Sequence, residues 1–172
     1  MGRKSKLTDA QWGRLSGLDW HSIANGLLSI SNNENAVIQV LRLMLIFGHL
    51  HRLLKVRPIS RYRFEVTVST GRIDLLLFHD DGGVSIVEAK ADRAPRDIAP
   101  GIGQLFMYEA AVHKSMRPAY VNKILIAPIR PEQSVDLTRA CELADVQFTI
   151  LPVFEDMKRE IDSIRTLSED HG

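Results

Sequence analysis

The sequence predicts an α/β domain, a mixed central sheet of about five strands flanked by helices. Three observations predict it. Apolar residues recur at helical spacing up to Leu54, and the period then changes to two at Arg63-Phe64-Glu65-Val66-Thr67-Val68. Two further apolar strands are joined by His79-Asp80-Asp81-Gly82-Gly83, a turn composition suited to an antiparallel hairpin. Beyond Ala91, helical segments alternate with strands, the pattern of crossover connections.

Each element follows from local signals. Thr8-x-x-Gln11 and Ser31-x-x-Glu34 fit the capping-box pattern at helix starts. Short helices are expected near 8–16 and 19–28, broken by Gly17 and by the polar run SNNEN. A long helix is expected from about Asn33 to about Leu54, carried by Val37, Ile38, Leu41, Met44, Leu45 and Leu53, and Pro58 bars its continuation. Strands are expected at 63–68, 72–78 and 84–90. Residues 91–103 contain Pro95, Pro100, Gly101 and Gly103 and read as a loop into a helix at about 102–114. A strand at 123–127, a helix at 132–144 and a strand at 147–151 follow, with a charged helix or tail from Glu155. The chain thus divides into a helical extension (1–30), a core (31–154) and a charged C-terminal segment (155–172).

Composition narrows the function classes. The chain has 172 residues, 45% hydrophobic and 25% charged, enough to bury a sizeable core and too apolar for disorder. No apolar run reaches the ~18 residues of a membrane span. The segment MGRKSKLTDAQW has no apolar stretch behind its basic residues and does not read as a secretory signal. Cys141 is the only cysteine, which excludes an intramolecular disulfide and a cysteine-based zinc site and points to a reducing, cytoplasmic setting. The net charge of +1 conceals a gradient: residues 1–72 carry +7 and residues 73–172 carry −6. Arg52, Lys55, Arg57, Arg61, Arg63 and Arg72 face only Glu65 within their run, which reads either as a solvated face or as a footprint for a polyanion.

Two features of the hairpin are costly for pure structure. Asp74 lies inside Ile73-Asp74-Leu75-Leu76-Leu77-Phe78, and Glu88 and Lys90 end Val84-Ser85-Ile86-Val87-Glu88-Ala89-Lys90. If the loop is 79–83, Phe78 faces Val84, Leu76 faces Ile86, Asp74 faces Glu88 and Arg72 faces Lys90. Two acids side by side repel unless a proton or cation lies between them. A hard divalent cation with oxygen ligands satisfies both, and the Ala89 carbonyl is a third candidate ligand. A one-residue slip would separate the acids.

Asp74 followed by Glu88-Ala89-Lys90 at the end of the next strand resembles the PD-(D/E)xK nuclease superfamily, with Gly71-Arg72-Ile73-Asp74 as its first half lacking the proline. Gln104-Leu105-Phe106-Met107-Tyr108 reads as QxxxY and resembles the RecB-type branch, and GRIDLLLFHDDGGVSIVEAK is also similar to NucS-like and type I restriction-subunit nuclease domains. Glu34 matches the superfamily's first acidic position. The resemblance implies a restriction-endonuclease-like core and a catalytic set of Glu34, Asp74, Glu88, Lys90, Gln104 and Tyr108. Asp74, Glu88 and Ala89 would hold Mg²⁺ or Mn²⁺, and Lys90 would orient the attacking water or stabilise charge on the phosphate. Glu34 has a second explanation as the partner of Ser31 in a capping box, and Gln104 and Tyr108 as a polar pair at a helix–sheet boundary.

Arg61, Arg63 and Arg72 are the candidate phosphate contacts. Trp12 and Trp20 read as packing residues or stacking platforms, and His49 and His51 lack metal spacing. The reading is a metal-dependent deoxyribonuclease hydrolysing phosphodiester bonds. A non-catalytic nucleic-acid-binding or regulatory module of the same fold is the alternative, and RNA stays open as a substrate. A homodimer fits a small nuclease that must reach two strands.

Overall fold

The computed structural model describes residues 34–46, 48 and 50–151. The helices expected at 8–16 and 19–28, Trp12, Trp20, Ser31, His49 and the segment from Glu155 lie outside the described residues. The core is an α/β domain built on a five-stranded mixed sheet.

Helix α1 spans Glu34–Ile46 and α2 spans Leu50–Leu54. The unbroken helix expected from 33 to 54 is corrected here. Gly48 adopts φ 71 and donates its N–H to the Leu45 carbonyl, which closes α1 and turns the chain. The apolar stripe survives the break, because Val37, Ile38, Leu41, Met44, Leu50 and Leu54 share one buried cluster.

Three antiparallel strands follow: β1 at Ile59–Val68, β2 at Gly71–His79 and β3 at Val84–Ala89. β1 starts four residues earlier than its alternation suggested, directly after Pro58. The hairpin register is the expected one, with Phe78 opposite Val84 and Leu76 opposite Ile86. The segment 91–103 is the second correction. It is not a plain loop but a short helix α3 (Pro95–Ile98) leading into α4 (Pro100–Met116). Both prolines sit in a first turn, where the missing N–H costs nothing. Strand β4 (Val121–Ala127), a 3₁₀ turn (Pro131–Gln133), helix α5 (Val135–Leu143) and β5 (Gln147–Ile150) complete the domain.

The sheet order is β1-β2-β3-β4-β5, with β4 and β5 added in parallel through crossover helices. Alternation along the strands fills two layers. Leu75, Leu77, Val87, Ile124 and Ile126 pack with α1 and α2. Leu76, Ile86 and Leu125 pack with Leu105 and Val112 of α4 and Leu137 and Cys141 of α5. The alternation changes step at one level. Ile73 and Val66 join the α4 layer while Leu75 and Phe64 join the α1 layer, and between them lie Asp74 and Glu65, the latter at φ 54. No helix among the described residues is long and apolar enough to cross a membrane.

Candidate active site

The β2–β3 ladder ends at Leu75 opposite Val87; Asp74 and Glu88 are the next residue on each strand, close enough for the charge of Asp74 to act on Glu88. Both are buried, at 6% and 2% exposure. The Ala89 N–H donates to Asp74 Oδ2 at 2.8 Å, so the carboxylate takes a bond that a ladder carbonyl would otherwise accept. Glu88 Oε1 accepts from Lys90 Nζ at 2.7 Å. Glu88 Oε2 is buried and accepts no hydrogen bond from the described residues. A buried carboxylate oxygen left alone is costly.

Lys90 is the centre of a bridge. Its ammonium also donates to Glu34 Oε1 at 3.2 Å, so the helix acid and the strand acid grip one lysine. Glu34 therefore belongs to the site through Lys90, whatever its part in starting α1. Gly101, in the first turn of α4, lets that helix press against the pair: a methyl group there would sit 3.3 Å from Lys90 Cε and 3.5 Å from Glu88 Cγ. In the sequence Gly101 reads only as one of the residues that mark a loop at 91–103. The prolines before it carried the helix-start signal.

Burial, and then the charge of Asp74, push the Glu88 carboxyl up to about 7. Burial also raises Asp74, against the opposing Ala89 N–H. For Lys90, burial works to lower the ammonium, but Glu88 and Glu34 outweigh it and the net direction is up. The site is thus short of positive charge at neutral pH.

The QxxxY pair is split. Tyr108 is buried, its ring lies over Gly71, and its phenol is raised by burial and then by Glu88 and Asp74, with an opposing bond from the Arg72 backbone. Gln104 is half-buried on the same helix face, and no hydrogen bond ties it to the carboxylates. The candidate phosphate contacts also differ from one another. Arg72 pairs with Glu65 at 3.4 Å, Arg61 lies 4.1 Å over the Phe78 ring, and Arg63 is exposed on edge strand β1. Arg57, from the same basic run, pairs with Asp81 in the hairpin turn.

Among the described residues no group of three or more His, Cys, Asp or Glu side chains is gathered for a metal ion. The expected ligand set is smaller, two carboxylates and the Ala89 carbonyl. The orphaned Glu88 Oε2 and the Asp74 Oδ1 not used by Ala89 fit a hard cation. In an extended strand the N–H and C=O of one residue point to the same edge, so the Ala89 N–H bonded to Asp74 puts its carbonyl on the Asp74 side as well.

No protein-family model matches the chain, and no curated protein matches it. Among solved structures it is similar to a repair endonuclease from Pyrococcus abyssi, with a TM-score of 0.45 and 21% identity over 62% of this chain and 43% of that one. It is also similar to the protein in a complex of EndoMS with double-stranded DNA, with a TM-score of 0.44 and 22% identity over 66% of this chain and 44% of that one. The chain spans less than half the length of either. At this level of similarity the chemistry has to be read from the side chains.

Proposed function

We propose that the chain is a metal-dependent deoxyribonuclease with a restriction-endonuclease-like core. The observation that carries the reading is the buried Asp74–Glu88 pair at the end of a hairpin, with Lys90 bonded to Glu88 and Glu88 Oε2 left without a partner. A purely structural acid pair would be cheaper to replace with apolar residues.

Asp74, Glu88 and the Ala89 carbonyl would hold Mg²⁺ or Mn²⁺. When bound, such an ion supplies a Lewis acid for the phosphoryl oxygen and lowers the pKa of water. Lys90 has three N–H donors, and Glu88 and Glu34 occupy two of them. The third is left to meet a phosphate oxygen or the attacking water. Glu34 and Glu88 fix the ammonium in place and keep it charged, so its positive charge is set before the phosphate becomes more negative. Tyr108, packed over Gly71, braces the strand that carries Asp74. The lone, buried Cys141 suits a cytoplasmic setting.

The test is incubation with linear, circular and single-stranded DNA, with and without Mg²⁺ or Mn²⁺, for wild type and two variants. Lys90→Ala should keep DNA affinity and lose about 10²–10³-fold in cleavage rate, the usual cost of one preorganised charge-stabilising group. Asp74→Asn should lose metal affinity and cleavage together. Lys90→Ala cutting as fast as wild type refutes the assignment. Wild type that cuts nothing with any divalent metal leaves the non-catalytic module as the function.

A further inference from the structure

A second charged feature lies beside the site. Three residues after Lys90 the chain reaches Arg93, which lines a cleft of about 490 Å³ together with Ala94, Pro95, Arg130 and Gln133. One wall comes from the segment after β3 and the other from the segment after β4. These are the C-terminal ends of two neighbouring parallel strands, the edge at which open α/β sheets receive ligands.

Both arginines are exposed, and neither forms an ion pair among the described residues. Their neighbour Arg96, by contrast, is paired with Asp97. Asp92 and Glu132 are adjacent in sequence, yet neither lines the cleft. Pro131 restricts the backbone of Arg130, which is extended at φ −74 and ψ 141, and Pro95 restricts Ala94, the residue after Arg93, at φ −98 and ψ 130. Two like charges held across one cleft repel until an anion lies between them. A guanidinium fork matches a phosphate in shape as well as charge, and the Gln133 amide adds a neutral donor.

We propose that the cleft between Arg93 and Arg130 holds a backbone phosphate of the DNA strand, within about three nucleotides of the phosphodiester at Lys90. The spacing agrees. Three residues of chain span at most about 10 Å, and a strand advances about 3.4 Å per nucleotide, so the cleft is reached within about three nucleotides. The inference rests on the reading of Asp74, Glu88 and Lys90 as a DNA site. It adds the direction in which the strand leaves that site, over the ends of β3 and β4.

The test measures DNA affinity against salt concentration in EDTA, so that cleavage plays no part, for wild type, Arg93→Ala/Arg130→Ala and Arg93→Lys/Arg130→Lys. The alanine pair should bind all sequences more weakly, with the log–log salt slope shallower by about one to two. The lysine pair should keep most of the slope, which separates lost charge from lost structure. An alanine pair with the wild-type slope overturns the cleft. So does loss of inorganic phosphate binding with the DNA slope unchanged, which assigns the cleft to small anions. A cleavage assay of wild type in Mg²⁺ keeps the two readings apart. Cleavage by wild type with no slope change in the alanine pair refutes the cleft alone, and a slope change without cleavage refutes the nuclease alone. Wild type that binds no DNA overturns both.

Discussion

Glu88 and Lys90 show how strongly neighbours set the charge of a residue. Glu88 is almost fully buried and titrates at about 7 in the folded protein, against 4.5 for an ordinary glutamate. Between those two values the folded state holds a proton that the unfolded chain has released. The metal-free protein should therefore lose stability as pH rises from 4.5 to about 7, with no further loss from this group above that. The drop should be of the order of 3 kcal/mol. Denaturant unfolding in EDTA at pH 4.5 to 8 measures it, and Glu88→Gln should flatten most of the slope. A wild-type profile that is flat across this range would show that Glu88 is already ionised. Divalent metal binding should strengthen over the same window, because the ion competes with the Glu88 proton. Cys141 is the contrasting case. Burial in α5 pushes its thiol up to about 11, which leaves it protonated and unreactive at neutral pH.

Among the elements, α4 matters most, because its first turn touches the site. Gly101 places a backbone where any side chain would crowd Leu125, at 2.6 Å from Cδ1, and Lys90. Gly101→Ala gains up to about 1 kcal/mol of helix propensity and meets an overpacking cost of about 1–3 kcal/mol. The net effect should be a loss of about 1 kcal/mol, read by denaturant midpoint. Cleavage should fall by more than that stability change would suggest, about tenfold, because the added methyl displaces the Lys90 stem. Loss of stability with an unchanged cleavage rate would show that α4 only covers the site. This part of α4 was half legible. The helix itself was expected from about Ile102, but Pro100, Gly101 and Gly103 read as loop, and that Gly101 meets Lys90 depends on how the crossover packs against β3. The break between α1 and α2 was legible in the same incomplete way, since Gly48 is visible in the sequence while its φ of 71 is a property of the folded chain.

At the scale of the whole molecule, β1 is an edge of the sheet among the described residues, with Arg61, Arg63, Glu65 and Thr67 exposed along it. Charged residues on an edge strand discourage pairing with other chains, which is one explanation for them. Binding of a polyanion is the other. Arg61→Glu/Arg63→Glu tests it. If the edge meets DNA, affinity should fall for all sequences alike and the salt slope should become shallower. If the edge is only protective, the slope should hold while the variant keeps its fold. The basic run from Arg52 to Arg72 is not one surface in the folded protein. Arg57 pairs with Asp81 and Arg72 with Glu65, while Arg61 lies over the Phe78 ring and keeps its charge, so the two ion pairs alone reduce the charge left for a ligand.

The sequence by itself determined the α/β class and the hairpin register from Phe78–Val84 to Leu76–Ile86. Both follow from short-range rules: period-two alternation and a five-residue turn. The ladder ends at Leu75–Val87, and beyond it the Asp74 carboxylate takes the Ala89 N–H, a placement that only the tertiary structure decided. The sequence also singled out Lys90, through its spacing from Glu88. Only the tertiary structure decided the contacts that join distant segments. These include Glu34 reaching Lys90 across 56 positions, Gly101 pressed against the Glu88–Lys90 pair, Gln104 left outside the bonds while Tyr108 packs over Gly71, and Arg93 set across a cleft from Arg130. The reason is physical. Strand pairing is local and periodic, so its pattern is written along the chain, whereas the meeting of a helix end with a sheet edge depends on how whole layers pack, and no spacing in the sequence encodes that.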